Sequence, residues 1–218
     1  MPSGESGAIA TYFTAEHGKA SFVLRGVRAS RKRMPLALEA FHTLRLRYLP
    51  RAAELWSLES AELLTARLRI GEDLDAAYAA GTYLRWLAAL TAPRQPDVDL
   101  FAECMHQLDA LSARVGTAAG WQVGAGVRLL AHAGYALVLG ACVLCGRERP
   151  AHRPALASAE RGGVICQRCA HGTSPWTLSA AALALLASSS ESEPPRDALE
   201  QAQRFLDAAF RAHTEIAS

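Results

Sequence analysis

The sequence predicts an α+β protein. A small antiparallel β-barrel is expected first, then a helical domain with a four-cysteine zinc-binding insertion, then further helices. Three observations predict it. Short β-favouring runs crowd residues 8–58. Apolar residues recur at helical spacing beyond them. Two Cys-x-x-Cys pairs stand near the start of the last third. The expected domains are 1–58, 59–140, 141–173 and 174–218. At 218 residues, half of them hydrophobic and a fifth charged, the chain is long enough to bury a sizeable core.

Ala8 to Phe13 and Ala20 to Val27 are rich in β-favouring residues and flank a turn at Glu16-His17-Gly18-Lys19. They read as a hairpin. A basic connection, Arg28 to Arg33, follows and is closed by Pro35. In Leu44-Arg45-Leu46-Arg47-Tyr48-Leu49 apolar and basic residues alternate, as in a strand with one buried and one cationic face. Glu54 to Leu58 reads as another strand, and several short strands suggest a barrel. Glu59 and Glu62 then read as acidic residues at a helix start, where they complement the macrodipole.

Leu74, Ala77, Tyr78, Gly81, Leu84 and Leu87 mark one helix, ended by Pro93 and Pro96. Val98 to Val115 is a second, with Asp97 as its N-cap. Trp121 to Ala133 is a third, ended by Gly134. Leu178 to Ala187 is a short helix after Pro175. Ser188 to Pro195 reads as a linker, and Leu199 to His213 as the last helix.

Cys142/Cys145 and Cys166/Cys169 enclose twenty intervening residues. Zinc takes four ligands in a tetrahedron and thiolates hold it well; four cysteines leave no open position, so the site is expected to be structural. Gly146 lets the backbone curl after the first pair. His152 and His171 are alternative ligands. A redox dithiol is a further reading, against which stands the absence of a βαβ context. Cys104, beside the apolar stripe of its helix, reads as a buried thiol.

Charge is unevenly distributed. Residues 1–51 hold nine Lys/Arg and three Asp/Glu, whereas the rest hold fourteen and eighteen. Lys19, Arg25, Arg28, Arg31, Lys32, Arg33, Arg45 and Arg47 form a basic set suited to a phosphodiester backbone. Aromatic residues among them, Tyr12, Phe13, Phe22, Phe41, Tyr48 and Trp56, read mostly as barrel core, with base stacking as the alternative. No phosphate loop, HExxH or GxSxG motif is present, so no enzyme site is expected. No signal sequence or apolar span of membrane length is visible, and a cytoplasmic location, nucleoid-associated and away from membranes, is expected.

Tyr12 to Lys19, Leu24-Arg25-Gly26-Val27-Arg28, Leu58 to Leu64, and Gly134-Tyr135 followed by Cys142-x-x-Cys145-Gly146 together resemble the RecO family of bacterial DNA repair proteins. The resemblance implies an N-terminal OB-fold, a helical domain and one bound zinc ion. It implies binding of single- and double-stranded DNA and annealing of complementary strands. It also implies work with a RecR-like protein to load RecA onto DNA coated by single-strand-binding protein, whose C-terminal tail would dock on the helical domain. The family carries a further strand before its Gly-Glu-Ser-like turn. Here Gly4-Glu5-Ser6 stands almost at the start, so the barrel is expected to lack its first strand, leaving a sheet edge exposed, or the start at Met1 to be late. A zinc-stabilised adaptor that binds proteins and not DNA is the other reading of the same residues.

Overall fold

The computed structural model describes residues 8–24, 39–50, 55–114, 116–171, 175–187 and 194–214. Arg25, Arg28, Arg31, Lys32 and Arg33, and Ser188 to Glu193 of the expected linker, lie outside the described residues. The chain divides into two units. The first takes residues 1–73 and 91–112, the second 74–90 and 113–218.

The first unit is built on a four-stranded sheet. β1 (Ala8–Thr14) and β2 (Gly18–Leu24) form the expected hairpin, in register from Ala8 with Leu24 to Thr14 with Gly18. β3 (Thr43–Leu49) runs antiparallel to β4 (Leu55–Thr65), and β4 lies parallel to β2. The order is β1-β2-β4-β3. Two features depart from a closed antiparallel barrel: the parallel β2–β4 pair, and edges at β1 and β3 that stay unjoined among the described residues.

Gly18 opens β2 at φ +60°, and a Cβ there would stand 1.9 Å from the Gln95 carbonyl oxygen. Only glycine fits both the left-handed backbone and the close approach. The Lys19 carbonyl in turn accepts from Arg94 N–H at 3.0 Å.

β4 corrects the reading of Glu59 and Glu62 as helix-start residues. The strand runs on to Thr65, and Arg47 pairs with Ser60 while Tyr48 pairs with Leu58. Glu59 is thus the extra residue of a bulge. The bulge breaks the period-two pattern, so Leu58 to Leu64 imitates a helical spacing while remaining extended. Beyond the bulge Glu62 faces Arg45, with their charged atoms 3.2 Å apart.

The core of this unit is Ala20, Phe22, Leu24, Trp56 and Leu58, flanked by Tyr12, Leu46 and Tyr48. Phe22 is fully buried, and burying such a ring is worth about 1.5–3 kcal/mol. Tyr48 stacks on Trp56 at 5.0 Å, and the His17 ring meets Trp56 edge-on at 4.9 Å. These aromatic residues are therefore core in the first instance. α1 (Leu68–Gly71) and α3 (Val98–Ser112) complete the unit. Asp97 caps α3 as expected, its carboxylate accepting from Leu100 N–H at 2.8 Å.

Arg67 ties these parts together. Its guanidinium donates to Asp109 Oδ1 at 2.7 Å, to the Phe41 carbonyl at 3.0 Å and to Thr43 Oγ1 at 2.9 Å. Its backbone N–H donates to His42 Nδ1 at 3.1 Å. Arg67 is 3% exposed. A buried cation needs this many partners to offset its desolvation.

The second unit is mostly helical: α2 (Leu74–Leu90), α4 (Ala118–His132), α5 (Ala180–Ala187) and α6 (Arg196–Thr214). α4 packs on α2, α5 and α6. Trp86 of α2 stacks on Phe210 of α6 at 4.3 Å. The expected stripe of α6 is buried at Ala202, Leu206, Ala209, Phe210 and His213. Thr117 caps α4 through Gly120 N–H, and Gly134 follows its end at φ +85°. Between α4 and α5, where no regular pattern is visible in the sequence, three short strands form a sheet of order β6-β5-β7: β5 (Ala155–Ser158), β6 (Gly163–Ile165) and β7 (Trp176–Leu178).

Candidate metal centre and basic surface

β6 brings the two cysteine pairs together. On one side, Val143 N–H donates to the Val164 carbonyl at 2.9 Å and Val164 N–H to the Val138 carbonyl at 2.9 Å, so the first pair lies along β6. At its end, Ile165 leads directly into Cys166. The first knuckle closes with Gly146 N–H donating to the Cys142 carbonyl at 2.8 Å, Gly146 standing at φ +72° as its place after Cys145 requires. The second closes with Cys169 N–H on the Cys166 carbonyl at 2.9 Å.

The four sulfurs lie within 4.8 Å of one another. Cys145 Sγ and Cys166 Sγ are 3.8 Å apart, the spacing of about 3.8 Å that tetrahedral Zn–S bonds of ~2.3 Å impose. Cys166 N–H donates to Cys142 Sγ at 3.3 Å. That bond is the main cause pulling the Cys142 thiol down to about 6. Cys166 is lowered as well, chiefly by the Cys169 backbone N–H. Cys169 is pushed up to about 12, first by its hydrogen bond with the Cys166 side chain. Four thiols this close cannot all ionise beside one another, whereas a bound dication stabilises all four thiolates. The donor set fits a metal ion. His152 and His171 are exposed and stand outside the cluster, so neither alternative ligand is brought to it. Cys104 is buried in α3, apart from this chemistry.

Of the basic residues singled out in the sequence, Lys19, Arg45 and Arg47 are described. Arg45 and Arg47 stand exposed on β3, alternating with Leu46 and Tyr48, which pack on the core. Arg45 is offset by Glu62. Lys19 is half-buried on β2, between the buried Gly18 and Ala20. Arg94 joins this unit unannounced by any pattern in the sequence: its guanidinium carbon lies 4.8 Å from the Trp56 ring centroid. Near them is a cleft of about 350 Å³ lined by Tyr12, Phe13, His17, Tyr48 and Phe101, with Arg45 among its walls.

Known proteins resolve what this combination belongs to. A family model described as Recombination protein O N terminal matches residues 1–67, and one described as Recombination protein O C terminal matches residues 71–218. The chain belongs to the RecO family. It is similar to the DNA repair protein RecO of Anaeromyxobacter sp. (strain K), 35% identical over 84% of this chain and 72% of the relative. It also resembles that of Anaeromyxobacter sp. (strain Fw109-5), 33% identical over 94% of this chain and 85% of the relative. The Myxococcus xanthus RecO is 31% identical over 76% and 67%. RecO membership places the chain among proteins of DNA repair and recombination. No described helix is long and apolar enough to cross a membrane.

Proposed function

We propose that this RecO-family protein is a DNA-binding mediator that anneals complementary single strands. It helps load a RecA-type recombinase onto DNA coated by single-strand-binding protein, together with a RecR-like partner. The family match over both halves of the chain carries the reading. Arg47 and Arg45 on one face of β3 supply cations for phosphates, with Lys19 and Arg94 in the same unit. Arg25, Arg28, Arg31, Lys32 and Arg33 are assigned to the same role from the sequence alone.

The first unit acts as an OB-like element. We read the order β1-β2-β4-β3, with β1 and β3 at the edges among the described residues, as a barrel short of one strand; the family match over residues 1–67 supports that reading. The aromatic cleft is large enough for an unpaired base, which Tyr48 and His17 would flank. The single-strand-binding protein tail is assigned to the helical unit. The metal is zinc, one per chain, held by Cys142, Cys145, Cys166 and Cys169. Its role is to hold the segment between α4 and α5 in place.

Annealing of two complementary oligonucleotides, bare and coated with single-strand-binding protein, tests the reading. Acceleration of both is expected. Tight binding of a protein partner with no effect on either strand would favour a zinc-stabilised adaptor instead.

A further inference from the structure

The metal-binding segment carries more positive charge than holding a metal explains. Residues 141–171 contain five arginines and two glutamates, while the rest of 52–218 contains nine basic and sixteen acidic residues. A basic island therefore sits inside an acidic region. Arg147, Arg149 and Arg153 line a cleft of about 600 Å³ against a single carboxylate, Glu148, with Gln167 and Thr177 as neutral donors. Arg149 is a brace: its guanidinium donates to the carbonyls of Leu139, Pro150 and Arg153 at 2.9, 3.3 and 3.0 Å. Arg147, Arg153, Arg161 and Arg168 are exposed, and no described carboxylate lies within ion-pair distance of Arg147, Arg153 or Arg168.

We propose that this cationic cleft and its surround are a second nucleic-acid contact, engaging the phosphodiester backbone independently of the N-terminal strands. The four exposed arginines come from four different turns: after the first knuckle, before β5, between β5 and β6, and inside the second knuckle. Arg147 and Arg153 share the cleft wall from two separate turns, so each can take a different phosphate of one chain. Guanidinium is also the side chain that grips phosphate oxygens in pairs. A protein with two separate backbone contacts can hold two strands at once, which annealing requires. The inference rests on the DNA-binding reading above.

The test is the salt dependence of binding to a thymidine oligonucleotide by the full chain, for wild type, R147A/R153A and R147K/R153K, with metal content measured in each. Each phosphate contact on a single strand contributes about 0.7 to the slope of log affinity against log salt. The alanine pair is expected to lower the slope by about 1.4 and keep its metal, and the lysine pair to keep most of the slope. An unchanged slope with metal retained overturns the proposal and leaves the DNA-binding reading standing. Metal loss with an unchanged slope also overturns it, since the arginines would then serve only to balance the thiolates. Selective loss of binding to an acidic peptide, with DNA affinity intact, assigns the cleft to a protein and overturns it too. Failure of the wild type to bind at all removes both readings.

Discussion

Arg67 and Asp109 are 42 residues apart in sequence and joined by a 2.7 Å hydrogen bond between Nε and Oδ1. Arg67 is buried and Asp109 is 57% exposed at its side chain, so the two ends respond differently to substitution. Arg67→Ala removes every guanidinium bond and strands the Phe41 carbonyl; a loss of about 3 kcal/mol is expected. Asp109→Asn leaves Arg67 with its other partners and solvates the replacement, so its cost is smaller. Chemical denaturation of the two variants measures the difference.

The cysteine centre predicts one tightly bound zinc per chain, found by metal analysis of the purified protein. Chelation should lower the unfolding temperature, and zinc should restore it. Cys166→Ser should lose the metal, because it removes one sulfur and changes the group beside Cys142, Cys145 and Cys169. A Cys104→Ser variant, altered away from the cluster, should keep it.

Gly18→Ala forces a Cβ into the Gln95 carbonyl at a backbone angle of +60°. The left-handed conformation alone costs roughly 1–2 kcal/mol for an L-residue, and the clash adds to it. A lower unfolding temperature is expected, with metal content unchanged.

His213 gives a pH dependence. It is buried against Tyr135, with ring centroids 4.0 Å apart, and burial lowers its pKa below the ordinary 6.5. Above 6.5 the ring is neutral folded or unfolded, and folding carries no penalty from it. As pH falls below 6.5 the unfolded chain takes up the proton first, so stability is lost. His213→Phe should flatten this part of the stability profile between about pH 7 and pH 5, read by thermal melts across that range.

Much of the helical part is legible in the sequence. The stripes of α3 and α6 and the caps Asp97 and Gly134 are local signals that tertiary packing did not override. The cysteine cluster is legible because spacing alone brings two sulfurs to a centre. β4 is not legible beyond Leu58, because register shifts at Glu59 and Leu64 break the alternation and leave a helix-like spacing. The sheet β5–β7 leaves no trace in the sequence pattern, because its strands have three or four residues, too few to show a period. Arg67 and Arg94 carry no sequence signal, since their roles arise from partners distant in the chain.

The most direct test of the central claim is the affinity of the full chain for two single strands of unrelated sequence at 50 and 200 mM salt. Binding through backbone charge predicts equal affinities for the two sequences. It also predicts a fall of about tenfold or more between the two salt concentrations. Absence of binding at 50 mM, or an affinity that salt leaves unchanged, would contradict it.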